Sequence, residues 1–343
     1  MFLVVMWHFY YHGMRISSVF ADGVLTGGMG LANYWLSQWL VIVCSACVNL
    51  FVLISGYFLV GRPFNGKRVI LLWLEVFFYG TVIALLFSAS PVLYLFPIGR
   101  TAYWFVPSYV GLVCLAPFLS SLVAALTQPQ YKRLLLVLTL LGCTLTMGFP
   151  FGDAMGAAKG FSLIWFVVLF FFGGYIQRFP VRMSARQAFF AGLGVSVAAM
   201  LLVLVKTLVR QEMVFEKPAY NSFGFFIALF LFIGFRQKKE TAGAWAKGLS
   251  WCAPYVFAVY LISEHPLLRR WLWGELVDWR PLINRWWFIP AMLGAVAAVF
   301  VLCVLVDYGR AWLFKLVGLE RAAQWLGDRG AAVVNRIFGD TDK

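Results

Sequence analysis

The run Trp35-Leu-Ser-Gln-Trp-Leu-Val-Ile-Val-Cys44-Ser-Ala-Cys47-Val-Asn49-Leu-Phe-Val-Leu-Ile-Ser55-Gly-Tyr57-Phe-Leu-Val60 decides the fold class. It carries no charged side chain and exceeds the about 20 apolar residues that a helix needs to cross a bilayer. Working outward from it, apolar runs of similar kind recur along the chain with short polar breaks between them. The expected spans are 1–12, 35–60, 69–87, 103–126, 134–149, 161–177, 187–209, 222–235, 251–268 and 287–306. The first is short: at ~1.5 Å per residue it rises only about 18 Å, against a hydrocarbon core of ~30 Å. Either this helix begins upstream of Met1 or it spans incompletely. It has no basic n-region and no small-residue cleavage site after it, so no cleavable signal peptide is evident. The expectation is an all-α, polytopic transmembrane bundle of about ten spans.

Composition agrees. The chain is 62% hydrophobic and 12% charged, whereas a soluble domain is about 45–50% apolar and about 25% charged. The net charge of +14 does not mark a nucleic-acid partner, because the cations lie in short loops between apolar runs rather than on one face. Placing the N-terminus in the cytoplasm puts Arg62, Lys67 and Arg68, then Lys132 and Arg133, then Arg178, Arg182 and Arg186, then Arg236, Lys238, Lys239 and Lys247 inside, together with the basic tail. Asp22, Asp153, Glu212, Glu216, Glu275 and Asp278 balance most cations on the other side. Cytoplasmic loops carry the Lys/Arg excess, so both termini are expected inside. Beyond the last span, Trp312, Leu313, Leu316, Leu319, Ala323, Leu326 and Val333 alternate at helical spacing with Lys315, Arg321 and Arg329, the pattern of an interfacial amphipathic helix. The chain therefore divides into a transmembrane domain, 1–310, and a cytoplasmic amphipathic tail, 311–343. Membrane lipid is an expected partner.

All six cysteines fall inside apolar runs. Cys44 and Cys47 have a redox or zinc spacing, but they sit in mid-run with no second pair, and they read as small packing residues. No metal site is expected.

Ionisable groups inside a span are costly and by default functional. The chain offers His8, His12, Glu75, Glu264 and His265. His8 and His12 are four apart and share a helix face. Three readings compete: a metal pair awaiting a third ligand, acid–base work by imidazole, or buried rings bonded to nearby carbonyls. Glu75 reads as a partner for a histidine or as a modulatory group. Glu264-His265-Pro266 reads as a solvated helix end at the outer interface. The tryptophans cluster near predicted ends and form an aromatic belt.

Several stretches, in order, resemble the acyltransferase-3 family of bacterial membrane acyltransferases. They are Met1 to Trp7-His8 with His12-Gly13, Val48-Asn-Leu-Phe-Val-Leu-Ile-Ser-Gly-Tyr-Phe58, and Tyr103-Trp-Phe-Val-Pro-Ser-Tyr109 leading to Ala116-Pro-Phe118. Trp165 to Gly173-Gly-Tyr-Ile176, Tyr220-Asn-Ser222 and Val259-Tyr-Leu-Ile262 follow. The resemblance implies transfer of an acetyl, or another short acyl group, from acyl-CoA to a sugar hydroxyl of a surface polysaccharide or related glycan. It implies a multi-pass protein of the bacterial cytoplasmic membrane, a catalytic role for His8, and a supporting one for His12. No permanently bound cofactor is implied; acetyl-CoA is the donor substrate, and a glycan or lipid-linked sugar the acceptor. Two departures stand out. The family's Arg about eleven residues before the histidine would precede Met1, and its basic pair near the start of helix 3 is met by Arg68 but by Leu71 at the second place.

The mechanism that follows has His8, His12 and Glu75 as catalytic candidates. Arg62, Lys67 and Arg68, a basic cluster at a helix N-terminus, would take the donor phosphates. Asn49, Ser55, Tyr57, Tyr103, Trp104 and Tyr109 would line the donor or acceptor path, or else tie helices together. No oxyanion donor is identifiable. The rival reading is a proton-coupled transporter of a small solute or lipid-linked sugar. That class predicts repeats and broken helices, and neither is evident in the sequence. A scaffold subunit of a glycan assembly complex is the third class, and it predicts indifference to loss of His8.

Overall fold

A computed structural model describes residues 1–94, 103–143, 155–215, 217–238 and 243–338. The described residues form helices joined by turns and loops and contain no strand. The helices are α1 (Phe2–His8), α2 (Gly27–Cys44), α3 (Cys47–Leu59), α4 (Gly66–Leu86), α5 (Phe105–Ala125), α6 (Gln128–Gly142) and α7 (Leu163–Arg178). They continue with α8 (Ala185–Arg210), α9 (Phe223–Gln237), α10 (Ala244–Cys252), α11 (Val256–Ser263), α12 (Pro266–Arg270), α13 (Phe288–Val317) and α14 (Leu319–Phe338).

Among the described residues, five segments are long and apolar enough to cross a membrane: Gly27–Leu59, Gly66–Leu86, Phe105–Ala125, Ala185–Arg210 and Phe288–Val317. α7 and α9 are apolar but shorter. The run that decided the fold class is one bent segment. α2 gives way to α3 at Ser45 and Ala46, both of which keep right-handed helical angles. The Ser45 hydroxyl donates to the Ile42 carbonyl at 2.6 Å, a back-bond that competes with the helix ladder and bends it.

α1 sits inside the bundle. Val4, Val5, Met6, Trp7 and His8 are buried, as are Phe9 and Tyr10 in the π-helical turn Phe9–Gly13 that continues it. A helix apolar on every side is stable only when surrounded by protein or lipid, and here α2, α3, α11 and α13 surround it. π turns appear mostly as single insertions at functional sites, and this one follows His8 directly and carries His12.

α3 and α7 cross at their backbones. A Cβ on Gly173 would lie 2.5 Å from the Leu53 carbonyl, and one on Gly56 would lie 2.8 Å from the Phe170 Cα. Without a hydrophobic drive between helices in lipid, such small residues let the backbones touch. Asn49 strengthens the same crossing: its amide donates to the Tyr220 carbonyl at 2.7 Å and accepts from the Trp165 indole at 2.8 Å.

The expected span 251–268 is not one helix, and broken helices, which the sequence did not reveal, are present here. α10 ends at Cys252, a 3-10 turn spans Ala253–Tyr255, and α11 stops at Ser263. Proline drives the residue before it out of the α region. His265 accordingly takes φ −54°, ψ 125°, and Pro266 opens α12. The last helix also differs from expectation. α13 runs to Val317, past residue 306, before Gly318 turns it with φ +77°. α14 then packs on α4, where a Cβ on Gly327 would fall 2.7 Å from the Lys67 nitrogen. The expected span 134–149 is helical as α6 to Gly142; its far end lies outside the described residues.

Candidate active site

The break after α11 turns Glu264 inward, and the turn at the end of α1 presents His8 and His12 to it. The Glu264 side chain is 12% exposed, and its Oε2 lies 3.1 Å from His8 Nε2 and 3.2 Å from His12 Nε2. Its Oε1 accepts from Arg269 at 2.6 Å. The other ring nitrogen of His8, Nδ1, lies 3.1 Å from the Ser263 hydroxyl, a residue with no exposed surface.

These contacts assign the tautomer by donor and acceptor logic. An ionised carboxylate only accepts, so both Nε2 atoms carry hydrogens toward Glu264. His8 Nδ1 then holds the lone pair and accepts from Ser263. A carboxylate that fixes an imidazole in this way raises its basicity at the opposite nitrogen and stabilises the cation formed when a proton arrives. Because the Glu264 oxygen already stands at hydrogen-bond distance from both rings, the three groups form a proton network. Among the described residues, no group of three or more His, Cys, Asp or Glu side chains is arranged to hold a metal ion.

His8 faces a small chamber of about 30 Å³, lined also by Trp7, Trp104, Phe105, Tyr220 and Tyr260. This is room for about two waters at roughly 10–15 Å³ each. Met1, Cys47 and Phe51 line the chamber and also line a much wider cavity of about 890 Å³. That cavity is walled by apolar residues such as Ile54, Phe58, Leu72 and Phe257, and its polar lining includes Asn65, Lys67, Arg68 and Glu75. Asn65 caps α4, its side chain accepting from the Arg68 N–H at 3.1 Å, so the two cations sit on the first turn of a helix, where anions are favoured. The Arg68 guanidinium also reaches the Tyr109 hydroxyl at 3.4 Å, and Tyr109 lies 3.3 Å from Ser55.

The structure thus brings His8 and His12 together and places Trp104 at the chamber. It places Lys67, Arg68, Ser55, Tyr109 and Glu75 on the wide cavity. Glu75 does not join the histidines. Its nearest cation is Arg310 at 3.9 Å, and Arg310 itself grips Asp307, which also accepts from Tyr79 at 2.8 Å. Arg62 is exposed in the loop before α4 and lines neither cavity. Asn49, Tyr57 and Tyr103 act as ties: Tyr57 accepts from Arg236 at 2.9 Å and Tyr103 donates to the Leu261 carbonyl at 2.9 Å.

The solvated helix end expected for Glu264 is therefore overturned by its burial against two histidines and an arginine. Ser263 and Arg269 were not singled out from the sequence at all. The available signal was Pro266 after an apolar run, which marks a helix break and so a carboxyl turned off the helix axis.

No curated protein and no solved structure matches the chain. The family described as an acyltransferase domain, acyltransferase-3, matches residues 1–306. That match covers α1 to most of α13 and every residue of the His8 network, and the chain therefore belongs to the acyltransferase-3 family: it is an acyltransferase built on membrane-spanning helices.

Proposed function

We propose that this protein transfers an acetyl or other short acyl group from acyl-CoA to a sugar hydroxyl of a cell-surface glycan, with His8 as general base. We place it in the cytoplasmic membrane of a bacterium with about ten spans and both termini inside. The observation that carries the reading is the geometry around His8. A buried imidazole, oriented by a carboxylate, faces a two-water chamber that adjoins a wide cavity with cations on a helix N-terminus.

Acyl-CoA is a phosphate-bearing head joined by a long, largely uncharged arm to a thioester. Lys67 and Arg68 suit the phosphates, the apolar walls suit the arm, and the chamber suits the acyl group. The acceptor hydroxyl gives its proton to His8 Nδ1 as the Ser263 hydroxyl rotates away. The hydroxyl oxygen then attacks the thioester carbonyl, the new C–O bond forms, the C–S bond breaks, and the CoA thiolate recovers the proton from His8. Glu264 holds the imidazolium while it exists. The broken helix at Glu264 is also a feature of transporters, but here it serves to deliver a carboxyl to the histidine.

The test is transfer of radiolabelled acetyl from acetyl-CoA to membrane glycan by wild type and His8→Ala at equal expression. Labelled glycan from wild type and a loss of about 10²–10⁴-fold in the variant, the usual range for a general base, is the expected result. Equal labelling by both would remove His8 from the mechanism.

A further inference from the structure

General-base chemistry on a thioester makes a negative oxygen at the carbonyl, and an enzyme must supply donors aimed at it. Neither histidine supplies one, because each Nε2–H is spent on Glu264. A neighbouring side chain of the chamber wall does. Tyr260 is 6% exposed, lines the chamber, and its hydroxyl is buried with no group among the described residues accepting its proton. A buried O–H donor with no acceptor is costly, and in a folded protein it calls for an explanation.

The ring is held in place on several sides. It packs edge-on against Tyr103 at 5.9 Å and Phe105 at 5.8 Å, and lies 6.1 Å from Phe257 and 6.3 Å from the His8 ring. The Tyr103 hydroxyl holds the neighbouring Leu261 carbonyl at 2.9 Å, so the backbone that carries Tyr260 is fixed as well. Beside it, α5 begins. Trp104, its N-cap, makes no side-chain capping bond, and Trp104 and Phe105 both line the chamber. The first N–H groups of a helix have no partner within it. Pro107 has no N–H, so Phe105 and Val106 carry the first-turn N–H groups at this end, and that of Phe105 is directed at the Tyr260 hydroxyl oxygen.

We infer that Tyr260 is a catalytic residue: its hydroxyl, supported by the first-turn N–H groups of α5, donates to the thioester carbonyl oxygen as that oxygen becomes negative. The acyl group then lies between His8, which takes the acceptor proton, and Tyr260, which receives the charge. No proton leaves Tyr260; it donates a hydrogen bond to the tetrahedral intermediate and releases it when the C–S bond breaks and the carbonyl reforms. This rests on the acyl-CoA reading above, and it assigns to that reaction the oxyanion donor that the sequence did not show.

Tyr260→Phe keeps the ring and its packing and removes only the hydroxyl. With acetyl-CoA as donor, kcat is expected to fall about 10²–10³-fold, the effect of deleting one oxyanion donor, while KM for acetyl-CoA stays within about threefold. Replacing Tyr260 by 3-fluorotyrosine, whose phenol is a stronger donor, is expected to retain activity and to shift kcat with phenol acidity; a ring held only for packing would show no such dependence. A Tyr260→Phe enzyme with kcat near wild type, or one whose loss appears only in KM, overturns the inference and leaves the acyl-CoA reading standing. A wild type that transfers no acetyl from acetyl-CoA overturns both.

Discussion

At the scale of single residues, the site turns on one carboxyl. Glu264 accepts from His8, His12 and Arg269 together, and each of those donors would be left unpaired without it. Glu264→Gln keeps the shape but places an amide where two N–H groups now point, and it favours the His8 tautomer with its lone pair on Nε2 rather than on Nδ1, the atom proposed to take the acceptor proton. The expected result is a loss in kcat of at least about 10²-fold, because a mis-set tautomer removes general-base catalysis. Ser263→Ala, by contrast, removes a donor that must leave Nδ1 before the reaction, and kcat is expected to stay within about tenfold. Steady-state transfer assays on the two variants in parallel check the pair; equal losses would contradict the tautomer assignment.

At the scale of elements, the site depends on a helix that fails to continue. Pro266 holds His265 out of the helical region, and this is what lets Glu264 leave the axis of α11. Pro266→Ala removes that restraint and allows α11 to run into α12, carrying the carboxyl around the helix. A misplacement of about 1 Å at a catalytic group can lose about 10²-fold in rate. The expectation for Pro266→Ala is a drop of at least tenfold in kcat with a thermal midpoint within a few degrees of wild type. A stable variant with full activity would show that packing against α4 and α13, not the proline, sets the break. The crossing of α3 with α7 is a second element-level dependence. Gly56 and Gly173 leave no room for a side chain there, and α3 carries Ser55 on the cavity wall and Cys47 between cavity and chamber.

At the scale of the whole molecule, the wide cavity and the chamber share Met1, Cys47 and Phe51 as lining, and the proposed function uses them as one route from the first turn of α4 to His8. The proposed donor is made in the cytoplasm, so the α4 end of that route must face it. Cysteines placed at Gly61 and at Asp22 in a background lacking the native cysteines report this. A membrane-impermeant thiol reagent applied to intact cells is expected to label Asp22→Cys, whereas Gly61→Cys becomes labelled only after the membrane is opened. The reverse pattern would contradict both the orientation and the donor side. α14 adds a structural dependence at this scale. It lies beyond the residues matched by the family and packs on the same α4 turn that carries Lys67 and Arg68, through the contact between Gly66 and Gly327.

What the sequence determined by itself follows from local physics. A run such as 35–60, with no charge and too few polar groups for water, has to be a helix in lipid, and His8 within such a run has to be paid for by function or by a partner. The family was legible for the same reason: its residues occur in order along the chain. What only the tertiary structure decided concerns groups far apart in sequence. Glu264 lies more than 250 positions from His8, and no periodicity announces that a proline turns it onto that ring. Glu75 sits in an apolar run just as His8 does, yet Arg310, supplied by a helix that runs past its expected end, pairs with it instead. Asn49, Tyr57 and Tyr103 are polar residues in apolar runs, indistinguishable by composition from Ser55 and Tyr109. Whether such a side chain ties two helices or faces a cavity is set by which helix crosses next to it, and that is fixed by packing between segments rather than within any one of them.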